Sequence, residues 1–107
     1  MGFKTEFNWV LKLKPEQGLR EEELELGKEY RFYKNEYRVY PLDIPIDLLN
    51  EDWEAVAKII IIEVSNFEGK TTGKYKVIKI YSGQEKEILS KHFQENQELL
   101  RKVGAIS

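Results

Sequence analysis

Apolar residues recur at every second position through much of this chain. Phe7, Trp9, Leu11 and Leu13 alternate with Asn8, Lys12 and Lys14, a period of two that predicts a first strand, ended by Pro15. Tyr30–Tyr33 and Tyr37–Tyr40 lie on either side of Lys34-Asn35-Glu36, which predicts a hairpin over 30–40. In the next run Leu42, Ile44, Ile46 and Leu48 share one face, with Asp43, Pro45 and Asp47 on the other. Proline has no N–H for a ladder, so Pro41 and Pro45 place this run at a sheet edge or a barrel corner. Ala55 to Val64 and Tyr75 to Tyr81 flank Asn66-Phe67-Glu68-Gly69-Lys70 and predict a long hairpin. Its middle is apolar on both faces, Ile59 and Ile61 on one and Ile60 and Ile62 on the other, which calls for cover on both sides.

The period changes in the last segment. Ser82-Gly83-Gln84-Glu85 matches a capping box, and Ile88, Leu89, His92, Phe93, Leu99, Leu100 and Val103 follow at helical spacing. Glu87–Lys91 and Glu98–Lys102 are favourable i,i+4 pairs, and Gly104 is a suitable stop. Residues 15–28 are acidic and carry Gly18 and Gly27, so they read as a surface connection pinned by Leu24 and Leu26, with Glu21-Glu22-Glu23 as a solvated face. The expected fold is mainly β (α+β). It is a small antiparallel barrel or strongly curved sheet of about six strands over 6–82, with a C-terminal helix over 83–103 packed on it. The absence of repeats and linkers makes 1–107 one domain.

Composition narrows the function classes. The chain has 107 residues, 41% hydrophobic and 12% aromatic, enough for one core. Seventeen Lys+Arg stand against 19 Asp+Glu, a net charge of −2, which excludes a nucleic-acid binder held by bulk charge. With no cysteine, thiol catalysis, disulfides and cysteine-based zinc sites are excluded. Charges interrupt the opening MGFKTEFNWVLKLK, and the longest unbroken apolar run is Ile59–Ile62. The expectation is therefore a cytoplasmic protein without a membrane partner.

Few motifs carry chemistry. Gly69-Lys70-Thr71-Thr72 resembles the tail of a phosphate-binding loop, but Val64 occupies the position of its first glycine and a strand follows, so a hairpin loop is expected. Asp43 and Asp47 stand about 13 Å apart along a strand, too far for a dyad. His92 is the sole histidine and belongs to the helix stripe. These readings lead to no expected catalytic residue, metal or cofactor, and to a protein that is not an enzyme. The densest signal is 30–40, where five of thirteen aromatics interleave with Arg31, Lys34 and Arg38. Aromatic platforms flanked by cations bind single-stranded nucleic acid. Tyr30, Arg31, Tyr33, Lys34, Tyr37, Arg38, Lys74 and Lys76 are accordingly the candidate ligand- or nucleic-acid-binding residues. The same alternation also describes core aromatics with ordinary surface cations.

The stretches MGFKTEFNWVLKL and YRVYPLDIPIDL are similar to small uncharacterised proteins of Gram-positive bacteria, grouped as a domain of unknown function. That resemblance implies no binding residue. Leu26-Gly27-Lys28 with short strands and AVAKIIIIEV more loosely resembles PUA-like β-barrels, which implies an RNA-binding barrel. Three readings stay open. The first is a non-catalytic binding or interaction module with a protein partner, a homodimer or another ligand. The second is an RNA- or nucleotide-binding barrel using 30–40, and the third a carboxylate enzyme built on Asp43, Asp47 or Glu63.

Overall fold

The alternating runs become five strands in the computed structural model, which describes residues 8–102: β1 (Val10–Lys12), β2 (Glu29–Lys34), β3 (Ile46–Leu49), β4 (Ala55–Phe67) and β5 (Lys70–Ile80). One helix, α1 (Gly83–Lys102), follows. Phe7, Val103, Gly104 and the Leu100 side chain lie outside the described residues. The strands form one mixed sheet in the order β1-β3-β4-β5-β2, with β1 parallel to β3 and every other pair antiparallel. The long hairpin forms as expected, turning through Glu68-Gly69, both at the positive φ that a two-residue hairpin turn needs.

Two expectations are corrected. The hairpin over 30–40 does not form: β2 pairs with β5 in a six-residue register, and Tyr37–Tyr40 is no strand. β5 outlasts what a four-residue partner could cover, so pairing with it satisfies more of the β2 backbone. The run 42–48 is neither edge nor corner, since β3 lies between β1 and β4. Pro41 and Pro45 both precede β3, so neither interrupts its ladder. The described residues hold five strands, in keeping with the expected curved sheet of about six.

The sheet is strongly curved and not closed into a barrel. Four strand spacings would separate the outer strands by about 19 Å if it were flat. Yet the Lys34 ammonium, at the end of β2, donates a hydrogen bond to the Lys12 carbonyl of β1. A single side chain bridges the two edges because the sheet curls. Register shifts supply the curl, leaving Val56, Ile62 and Ile78 as extra residues opposite shorter partners. Such bulges bend and twist a strand.

One face lies inside the curl. Leu11, Leu13, Phe32, Ile46, Leu48, Ile59, Ile61, Tyr75 and Val77 are buried there together with Leu19 and Tyr40 of the connections. The other face is covered at one end: Leu89 and Phe93 of α1 pack with Leu49, Ala55, Tyr81, Val10 and Trp53. Ile60 and Ile62 stay half-buried outside both clusters, and Ile88, His92 and Leu99 of the predicted stripe are exposed. α1 thus docks by its N-terminal half. The Ser90 hydroxyl accepts the Ala55 N–H (2.9 Å) and Gln94 donates to the Asp52 carbonyl (3.0 Å). At its start, the Lys86 N–H bonds the Ser82 carbonyl.

Candidate anion-binding cleft

The eight candidate residues divide between three places. Tyr30 and Lys34 point into the curl with Phe32. Tyr30 stacks on Tyr75 (ring centroids 5.6 Å apart), and its hydroxyl donates to the Glu23 carbonyl and accepts the Glu25 N–H. Arg31 and Tyr33 belong to the opposite, open face, Arg31 directly across from Lys74 and Glu29 across from Lys76. Lys74 lies 3.9 Å from Glu63, and the Tyr33 hydroxyl donates to Asn35. Tyr37 is exposed in the loop, and Arg38 is half-buried there. The structure thus brings together Lys34 and Arg38, and separately Arg31, Tyr33, Lys74 and Lys76.

Lys34 and Arg38 meet two cations that the sequence did not single out. Between the edges of β1 and β2 runs a cleft of about 370 Å³, lined by Lys12, Lys14, Lys34 and Arg38 with Glu36, Trp53, Val10 and Tyr40 among its other walls. It exists because the sheet stops short of closing. The Leu13 N–H bonds the Leu49 carbonyl on the β3 side. By strand alternation Lys12 turns its backbone groups to the seam. Lys34 is only 8% exposed. Burial first, and then the Arg38 guanidinium with Lys12 and Lys14, holds its amine below the usual lysine range, while Glu36 acts the other way. Among the described residues, no carboxylate is within ion-pair distance of Lys12, Lys14 or Lys34, and Glu36 is taken by Arg38 at 2.5 Å.

Two local devices hold the walls. The Thr71 hydroxyl, fully buried on β5, donates to the Glu36 carbonyl (2.8 Å) and accepts the Arg38 N–H (2.9 Å) and Asn66 Nδ2 (2.8 Å). Asn66 Nδ2 also reaches the Arg38 carbonyl. One threonine therefore fixes the segment that carries Glu36 and Arg38. Opposite, Trp53 sits at φ +62°, a conformation that costs a bulky residue roughly 1–2 kcal/mol. Asn50 holds it there, its Oδ1 accepting the Asp52 and Glu54 N–H groups and its carbonyl the Trp53 N–H. The indole lies under the Lys12 ammonium, 4.4 Å from the ring centroid.

The carboxylates are dispersed. Asp47 stands opposite Lys58 and accepts the Tyr81 hydroxyl (2.5 Å), while Glu63 stands opposite Lys74. Five residues of β4 separate these positions, about 16 Å. Asp43 is exposed in the loop before β3. Among the described residues no group of His, Asp or Glu could hold a metal ion, and no helix is long and apolar enough to cross a membrane.

The crystal structure of protein ytmB from Bacillus subtilis, a structural-genomics target, has a similar fold. The TM-score is 0.56 at 26% identity, over 77% of this chain and 96% of that one. It is a small protein of a Gram-positive bacterium, in line with the resemblance drawn from the sequence. No family model and no curated protein matches the chain. The neighbour's name carries no activity.

Proposed function

We propose that this domain is a non-catalytic binding module that holds a small anionic ligand in the seam between β1 and β2. The observation that carries the reading is the convergence of Lys12, Lys14, Lys34 and Arg38 on one cleft with Glu36 as its lone carboxylate wall among the described residues, in a chain of net charge −2. Like charges are driven together and one of them is buried, an arrangement that an incoming anion relieves. Hydrogen bonds from ammonium and guanidinium groups to phosphate or carboxylate oxygens are the strong, charge-assisted kind.

The test is a titration of ¹⁵N-labelled protein with inorganic phosphate at low and moderate salt. Shifts centred on Lys12–Lys14 and Lys34–Arg38, weakening as salt rises, are expected. Lys34→Met should abolish them, and Lys76→Gln should not. Uniform small shifts unaffected by Lys34→Met would sink the proposal. An RNA ligand on the open face, the second reading, would instead shift Arg31, Tyr33, Lys74 and Lys76 when a short RNA is added.

A further inference from the structure

The anion-binding reading leaves one wall of the cleft unexplained. Trp53 is pushed into a left-handed backbone conformation and held there by three hydrogen bonds to Asn50. Its indole lines the cleft, as do Val10 and Tyr40, so aromatic and apolar groups stand among the cationic ones. The Lys12 ammonium over the ring is bound by a cation–π contact, and it has no carboxylate partner among the described residues. A phosphate arriving between Lys14, Lys34 and Arg38 competes for that ammonium. When Lys12 turns to the phosphate, the indole face it covered becomes free.

Resting on the anion-binding reading, we infer that the cleft takes a phosphomonoester carried on a planar ring, the class to which nucleoside monophosphates belong. The phosphate sits among Lys12, Lys14, Lys34 and Arg38, and the ring stacks on Trp53. Size and charge agree with that class. About 370 Å³ lies at the small end of the range for small-molecule sites, roughly 300–1,000 Å³, and suits a monomer rather than a polymer. A phosphomonoester carries about −1.5 to −2 at neutral pH, against a wall of four cations and one carboxylate among the described residues. Its anionic oxygens also give the buried Lys34 amine a partner that favours the charged form.

The experiment uses the full chain with Trp9→Phe, which leaves Trp53 as the sole indole, and titrates four probes by fluorescence and calorimetry. These are adenosine 5′-monophosphate, ribose 5-phosphate, adenosine and inorganic phosphate. The expected result is that adenosine monophosphate quenches Trp53 and binds about tenfold or more tightly than ribose 5-phosphate, the gain of one stacked base. Adenosine alone should bind far more weakly. Equal affinity for adenosine monophosphate and ribose 5-phosphate overturns the ring assignment and leaves the anion reading intact. Failure of every phosphate to bind overturns both. Equal affinity for adenosine and its monophosphate removes the phosphate from recognition and overturns both as well. Trp53→Leu, with Trp9 restored, should keep ribose 5-phosphate affinity and lose the advantage of the ring. Survival of that advantage would place the ring elsewhere and refute the inference.

Discussion

Replacing Thr71 by valine keeps the shape of a fully buried β5 side chain and removes its hydroxyl. Three hydrogen bonds go with it: the one donated to Glu36 and the two accepted from Arg38 and Asn66. A typical intramolecular hydrogen bond contributes about 0.5–1.5 kcal/mol net, so the gross loss is roughly 1.5–4.5 kcal/mol. Some of it is offset. Asn66 Nδ2 keeps the Arg38 carbonyl (3.1 Å), Glu36 is exposed enough for water to reach its carbonyl, and valine adds a buried methyl worth up to about 0.8 kcal/mol. The expected net cost is about 2 kcal/mol. Urea unfolding followed by tryptophan fluorescence should show the midpoint falling by roughly 1–2 M with the slope unchanged. Thr72→Val is the control, because Thr72 is exposed on the opposite face and should stay within about 0.5 kcal/mol of the parent. If Thr71→Val costs no more than Thr72→Val, the hydroxyl does not hold the Glu36–Arg38 segment. Arg38 would then owe its place in the cleft to something else.

Gly73 lies under the Phe32 ring, and a Cβ there would meet the Glu63 carbonyl oxygen at 2.2 Å and the ring at 2.8 Å. Gly73→Ala should cost at least about 3 kcal/mol in urea unfolding, whereas Gly27→Ala, left-handed but in open space, should cost about 1 kcal/mol. Ser90→Ala leaves the buried Ala55 N–H without its acceptor and should destabilise by about 1–3 kcal/mol. Faster hydrogen exchange at Ala55 is its specific signature. Burial raises the Tyr40 phenol from 10 to about 12, and raises Tyr75 and Tyr81 as well, Tyr81 with help from Asp47. The unfolded chain therefore loses these protons first, so the stability they contribute is present below pH 10 and falls as pH rises through the folded values. Tyr40→Phe should remove about 1 kcal/mol of that decline at pH 11, measured as the change in urea stability between pH 9 and 11. Lys34 has the opposite sign. Its lowered amine makes the unfolded state the better proton binder, so stability from this residue rises as pH approaches 10.5 from below. Comparison of the pH profile with that of Lys34→Met isolates it, and identical profiles would refute the buried-cation account.

Local pattern carried the fold a long way. The turn at Glu68-Gly69, the alternation of Ile59 and Ile61, and the change of period at Gly83 are properties of neighbouring residues, and chain segments of this kind declare themselves before any long-range contact forms. The partner of β2 is not such a property. Tyr37–Tyr40 and β5 both offer it a strand-like run, and the choice depends on how much backbone each can satisfy after the long hairpin exists. The same holds for the curl. Alternation around Val56, Ile62 and Ile78 marks no bulge in advance, because a bulge is a mismatch between two strands and belongs to neither alone. The seam cleft depends on that curl. Lys34 and Arg38 stood out by composition, but Lys12, Lys14 and Trp53 come from segments up to 26 residues away and read as an ordinary strand and turn. Charges repel in sequence and in space alike, so nothing local predicts that four cations will be held around one cleft. Tertiary structure alone decided that, through two edge strands that approach without pairing.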